Sequence, residues 1–171
     1  MASPRSDLEP AWQLRPARPE DAERCAALAV AAWERIHDSY RTILGAALHD
    51  FLFPTWQGDK AAAVTAVVRE HPERALVATV PEGVVGFVTF RLDAEREVGE
   101  IGNNAVDPAW QGRGIAVAMY RAVLERMRGA GMCAAKVTTG WDEGHAPARA
   151  AYTRAGFRLG LPSVTYYQDL S

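Results

Sequence analysis

Gln111-Gly112-Arg113-Gly114-Ile115-Ala116 is the turning point of the chain. It follows an apolar run ending near Val106, and Ala116, Met119, Val123 and Met127 recur after it at helical spacing. The pattern predicts a strand over 98–106 that leads through this segment into a helix over 113–128. The first amides of a helix lack intrahelical acceptors and carry a partial positive charge. With Gly112 and Gly114 removing side chains beside those amides, the segment can cradle a pyrophosphate. A second reading stands beside it, in which the glycines only let the helix pack closely on a sheet. The chain contains neither Gly-x-x-x-x-Gly-Lys-Ser/Thr nor Gly-x-Gly-x-x-Gly, so two common nucleotide loops are excluded.

Working outward, Gly129 and Gly131 end the helix, Met132 to Thr139 reads as a strand, and Ala148, Ala151, Tyr152 and Ala155 form one face of a helix capped by Gly156. A last strand is predicted over 163–170. Upstream, Arg74 to Val80 and Val84 to Leu92 are β-branched and aromatic, and Pro81-Glu82-Gly83 between them reads as a hairpin turn. Gly102-Asn103-Asn104 are poor strand formers and predict a bulge. A short strand around Trp12 to Ala17 leads into a helix over 19–36. Short helical pieces are expected between His37 and Gly58, followed by a helix from Asp59 that stops before Pro72. This order predicts an α/β fold of the α+β kind, a mixed sheet with helices on both faces.

The 171 residues suit one domain over 11–171 behind a flexible N-terminus at 1–10. A hydrophobic share of 49% and a charged share of 23% are ordinary for a globular protein, and the formal charge of -2 argues against nucleic acid as a partner. Cys25 and Cys133 form no disulfide or thiolate metal pattern and are expected as buried free thiols in a reducing cytoplasm. No stretch approaches a membrane span, so no membrane partner is expected. The four histidines show no metal-ligand spacing, so no metal is proposed.

The central segment resembles the Arg/Gln-x-x-Gly-x-Gly/Ala motif of the GNAT superfamily of acyl-coenzyme A N-acyltransferases, with Gln111, Gly114 and Ala116 at the defining positions. Two further stretches are similar to the same family. One is His145-Ala146-Pro147-Ala148-Arg149-Ala150-Ala151-Tyr152 with Gly156-Phe157, where His145 replaces the usual Asn, and the other is Arg15-Pro16-Ala17-Arg18-Pro19-Glu20-Asp21. The resemblance implies a twisted, mostly antiparallel sheet with one splayed parallel strand pair, and acetyl-CoA bound in the splay as cosubstrate. Asn104, Ala105 and Val106 would then meet the pantetheine arm, with Asn104 N–H polarising the thioester. Gln111, Gly112, Arg113, Gly114, Ile115 and Ala116 would hold the pyrophosphate, and His145, Ala148 and Tyr152 would line the cofactor from the following helix.

The implied reaction is acetyl transfer to a primary amine by direct attack in a ternary complex. Tyr152 is the expected acid for the leaving thiolate, with a satisfied core tyrosine as the structural alternative. Glu100, eleven residues before Gln111, is the first candidate base if burial raises its pKa, and an ion pair with Arg91 is the alternative. His37 is a second candidate on the acceptor side, with a solvated turn residue as its alternative, and Trp33, Tyr40, Trp141, Tyr166 and Tyr167 are weighed as pocket walls. The acceptor stays open between a small molecule and a peptide amine. A non-catalytic acyl-CoA-binding module and a longer acyl donor stand as rival readings, and a homodimer through edge pairing of the strand at 163–170 as an open option.

Overall fold

The computed structural model describes residues 11–170, so the segment expected to be flexible at 1–10 lies outside the described residues. Its centre is a meander of three strands, β2 (Ala75–Val80), β3 (Gly83–Asp93) and β4 (Val98–Val106), whose side chains alternate between two buried faces. β1 (Gln13–Pro16) and β5 (Ala134–Val137) extend it to the order β1-β2-β3-β4-β5. Every pairing is antiparallel except β4 with β5, which are parallel because α4 (Ile115–Gly129) carries the chain across the sheet between them. On one face Leu76, Ala78, Val88 and Ile101 pack against Met119, Tyr120 and Val123 of α4 and against Tyr152 of α5 (Ala146–Ala155). On the other, Ala75, Val77, Phe87 and Ala105 pack against Cys25 and Leu28 of α1 (Ala22–Leu44) and Val64 and Val68 of α3 (Trp56–Glu70). Phe87 and Met119 are wholly buried, one in each layer, and each such side chain contributes roughly 1.5–3 kcal/mol of burial.

The turn into α1 is locked by charge. Arg15 grips Asp21 with two guanidinium bonds of 2.7 and 2.8 Å, while Arg18 N–H donates to the same carboxylate at 2.8 Å. Helix α1 runs beyond the predicted 36 because nothing breaks it before Gly45, whose φ of 81° ends it. His37 therefore stands inside a helix and is buried, which corrects its reading as a residue of a polar turn. After it come α2 (Ala46–Leu52) and α3, which begins at Trp56, three residues before the predicted cap at Asp59. Helix α4 starts at Ile115 instead of 113, since Gly112 and Gly114 both take left-handed φ values of 76° and 80°. The strand predicted over 163–170 is not formed. Val164, Tyr166 and Leu170 are largely exposed, so the segment has no face to bury and no pairing to hold it extended. The edge pairing suggested for a dimer loses its strand.

Two irregularities in β4 set up the open side of the sheet. Val88 faces Asn104 and Phe90 faces Ile101, so Gly102 and Asn103 both lie opposite Thr89, which is the predicted bulge. A side chain at 102 would begin 2.7 Å from Thr89 Oγ1, and Thr89 donates to Asn103 O at 3.2 Å, so the bulge requires glycine there. The ladder with β5 holds four pairs and stops at Ile101 and Val137, and β4 runs on to Val106 with β3 on one edge and no strand on the other.

Candidate active site

The free edge of β4 presents main-chain groups. Asp107 N–H donates to Val85 O at 2.8 Å, and alternation along an antiparallel ladder then turns the groups of Ala105 to Phe87 and those of Asn104 and Val106 to the open side. Gln111 Nε2 caps one of them, donating to Val106 O at 3.1 Å, while its own N–H reaches Pro108 O at 3.4 Å. Gln111 thus tethers the loop, and the amides free for a ligand begin one residue later than expected. Among the described residues no acceptor is placed for the N–H groups of Gly112, Arg113 or Gly114, and the first intrahelical bond runs from Ala118 to Gly114. A Cβ on Gly112 or Gly114 would meet nothing within 4 Å. These glycines are set by backbone conformation and not by close helix packing, and the space before α4 is open.

Tyr152 lies beneath this edge. Its hydroxyl accepts from Asn104 Nδ2 at 2.9 Å, and Tyr120 donates to Asn104 Oδ1 at 2.6 Å, so one strand amide joins two buried phenols whose rings lie 4.7 Å apart. Burial raises the Tyr152 pKa above the usual phenol value against the opposing bonds from Asn104 and Tyr120, so the group keeps its proton. Tyr120, wholly buried on α4, carries no functional signal in the sequence because its spacing is that of any core residue.

Glu100 does not have the raised pKa expected of it. Burial pushes it up, but hydrogen bonds from Arg91 and Lys136 outweigh that and hold it below the ordinary glutamate value. Arg91 Nε donates to it at 2.7 Å across the sheet and Lys136 Nζ stands 3.3 Å away. His145 is buried at the mouth of α5, its Nδ1 2.6 Å from Asp142 Oδ2 and its ring 6.2 Å from those of Trp33 and Tyr40 on α1. It joins α5 to α1, and Ala148, one turn on, packs against the apolar layer under α4. Cys25 is buried and its thiol is pushed up to about 12, whereas Cys133, expected buried, is exposed and bonded to Glu97 at 3.0 Å, which raises its pKa. Neither is an activated thiolate.

On the α1 side the residues gather differently. His37 Nδ1 lies 2.9 Å from His49 Nε2, and His49 Nδ1 lies 2.8 Å from Asp50 Oδ1, which Arg41 also holds. With Asp50 as acceptor, His49 carries its proton on Nδ1 and accepts a hydrogen bond at Nε2 from His37 Nδ1–H, which leaves the lone pair on His37 Nε2. Trp56 stacks on His37 at 4.0 Å, and burial, with the charges of His49, Lys60 and Arg41, lowers its pKa to about 4. A cavity of about 520 Å³ opens here between α1 and α2, lined by Glu34, His37, Arg41, His49 and Trp56. His49, the buried link, carries no signal in the sequence. Of the weighed wall residues, Trp33 and Tyr40 join this cluster, while Trp141 and Tyr166 are more than four-fifths exposed. Closer to the bulge, Lys60 Nζ sits 3.2 Å over the Trp33 ring and donates to Asn103 Oδ1 at 3.0 Å. Among the described residues, no group of three or more His, Cys, Asp or Glu side chains is placed to hold a metal ion, and no helix is long and apolar enough to cross a membrane.

The fold is shared with solved acetyltransferases. The PaiA N-acetyltransferase of Thermoplasma acidophilum, determined with coenzyme A, aligns at 15% identity and a TM-score of 0.64, over 83% of this chain and 87% of that one. Ard1 of Thermoplasma volcanium aligns at 23% identity and 0.62, over 88% and 85%. The ribosomal-protein-alanine N-acetyltransferase of Brucella melitensis biovar Abortus 2308 aligns at 16% identity and 0.57, over 92% and 99%. No curated protein sequence matches significantly. The profile of the Acetyltransferase (GNAT) family matches residues 30–157, about three quarters of the sequence, from the middle of α1 through the Gly-Phe pair after α5. With the parted β4–β5 pair, the open amides before α4 and the tyrosine beneath them, that match means that the chain belongs to the GNAT acetyltransferase family.

Proposed function

We propose that this protein transfers the acetyl group of acetyl-CoA to a primary amine of a small-molecule or peptide acceptor by direct attack within a ternary complex. The carrying observation is the unpaired edge of β4 from Gly102 to Val106 lying next to unsatisfied amides at Gly112 to Gly114. An amide-bearing arm can pair with the former as a strand would, and a pyrophosphate can take the latter. Coenzyme A bound to PaiA, a structure of the same fold, supports this reading. The acyl carrier supplies an activated thioester. Asn104 N–H would polarise its carbonyl, and the Tyr152 hydroxyl, held by Asn104 with its own proton free, would protonate the departing sulfur.

The acceptor must lose a proton before attack, since an alkylammonium has a pKa of ~10.4. Glu100 stays a paired carboxylate, so His37, neutral above about pH 4 with a lone pair on Nε2, is the better placed of the two expected bases. The His49–Asp50 chain behind it offers a route for protons to the surface. Calorimetry with CoA and acetyl-CoA, followed by thiol release with an amine panel, tests the reading. Heat with both and amine-dependent thiol is the expected result. Heat without thiol under any amine would turn the assignment to a binding module, and faster release from a longer acyl-CoA would change the donor.

A further inference from the structure

Only two of the chain's nineteen basic Lys and Arg residues are lysines, and they occupy opposite settings. Lys136 is exposed on β5 and paired with Glu100. Lys60 projects from α3 into the interior, its ammonium over Trp33 and against Asn103 Oδ1, and among the described residues it has no carboxylate partner. Burial lowers its pKa to about 8, well under the value of an ordinary lysine. Asn103, which receives it, is the bulge residue directly before Asn104, whose N–H faces the open edge.

The two sides of β4 make this placement chemical. If the arm pairs with the β4 edge as a strand would, the carbonyl accepting from Asn104 N–H lies close to the plane of the sheet, and its two faces look toward the two helical layers. One layer holds Tyr120 and Tyr152, both tied to Asn104. The other holds Lys60, tied to Asn103. A nucleophile reaches a carbonyl through its face and not in its plane, so an amine on the α3 side has the productive approach while the phenols serve the departing sulfur. We propose that the protein acetylates itself at Lys60, with acetyl-CoA as donor along the free edge of β4. This rests on the acetyl-CoA reading above and adds a modification site to it. In the step, the lone pair of neutral Lys60 Nζ forms the new C–N bond and the C–S bond breaks. The sulfur takes a proton from Tyr152 or water, and the nitrogen loses one to solvent. The products are Nζ-acetyl-lysine at position 60 and free CoA thiol, with no oxidant or other reactant. The acetylated side chain loses its charge over Trp33 and places an acetyl group on the acceptor side of the bulge.

The test uses the full-length protein and acetyl-CoA alone. Binding of CoA is first measured by calorimetry. Acetyl occupancy at Lys60 and Lys136 is then followed by peptide mass spectrometry against time, donor concentration and excess CoA. The expected outcome is acetylation of Lys60 at least about tenfold faster than of exposed Lys136, saturating with donor and suppressed by CoA. In Lys60→Arg, which keeps the cation and offers no acetylatable amine, the modification at 60 is lost while the chain stays folded by circular dichroism. Heat with CoA together with a Lys60 rate no faster than that of Lys136, or one linear in donor and indifferent to CoA, overturns the inference and leaves the acetyl-CoA reading intact. Absence of heat with CoA and acetyl-CoA overturns that reading, and self-acetylation with it.

Discussion

Asn103 and Asn104 are neighbours on one strand, yet they belong to two different environments. Asn104 closes a small polar network with Tyr120 and Tyr152 inside the apolar layer under α4 and α5. Asn103 opens toward Lys60, Trp33 and, farther along α1, the His37–His49–Asp50 chain. The first environment keeps hydroxyls protonated by burying them. The second collects nitrogen bases whose affinity for protons burial has weakened, so that both Lys60 and His37 hold their protons less tightly than in water. In the proposed reaction the first side would give a proton and the second would do without one, the division of labour that acyl transfer from sulfur to nitrogen requires.

The largest expected effect breaks the first side. Tyr152→Phe removes one hydroxyl from the network and keeps the ring that packs against Tyr120, so kcat for thiol release should fall roughly 10²–10⁴-fold with CoA affinity little changed. Turnover preserved in a folded Tyr152→Phe protein would make the residue a core tyrosine and remove the acid.

On the second side the expected signature is pH dependence. An unfolded histidine binds its proton below about 6.5, whereas His37 in the fold resists protonation until about 4, mainly through burial and then through His49, Lys60 and Arg41. Its folded pKa is depressed, so stability is full above pH 6.5 and falls as the pH drops toward 4, by about 1.4 kcal/mol for each unit within that window. Urea unfolding at stepped pH should show this slope in the wild type and a shallower one in His37→Gln, whatever the variant's absolute stability. Equal slopes would mean that His37 is free to protonate in place.

The two sides also differ in how far sequence exposes them. The β4 bulge, the turn at 112–114 and the Ala148–Tyr152 face of α5 depend on residues close together in the chain, where glycine, proline and helical spacing speak directly. The positions of Tyr152, Asn104 and the loop glycines on their elements are accordingly readable. The α1 side depends on contacts across long separations, Lys60 with Asn103 and Arg24 with Asp107, and on burial that a polar letter conceals. His37 and His49 look like solvated residues in text because nothing local shows that α2 folds back on α1. Glu100 is half-legible for a related reason: its position on β4 can be read, but Lys136 on β5 reaches it only through the parallel pairing. The tail at 163–170 has strand-like letters with no edge assigned to them, and pairing is not a local property.

Gly114→Val sharpens the role of the main chain relative to either side-chain cluster. A β-branched residue at φ 80° is strained by ~1–2 kcal/mol, and its side chain would enter the open space before α4. CoA affinity should drop about tenfold or more by calorimetry, each factor of ten being ~1.4 kcal/mol, while Tyr152 chemistry at saturating donor changes less. Unaltered affinity would place the pyrophosphate elsewhere.

The smallest effect is expected where the sequence pointed to a base. Glu100 lies on β4 ahead of the bulge, with Arg91 and Lys136 holding its carboxylate, so Glu100→Gln loses an ion pair and no proton acceptor. Partly exposed pairs of this kind contribute ~0–1 kcal/mol, which sets the size of the stability change. Thiol release should keep the wild-type pH profile and a kcat within a few-fold of it, against the roughly 10²–10⁴-fold loss expected on removal of a general base. A loss of that larger size, with the acidic limb of the profile displaced, would return the base to β4. It would also require the carboxylate to leave Arg91 when the acceptor binds, and Arg91→Met would then raise activity toward neutral pH instead of leaving it unchanged.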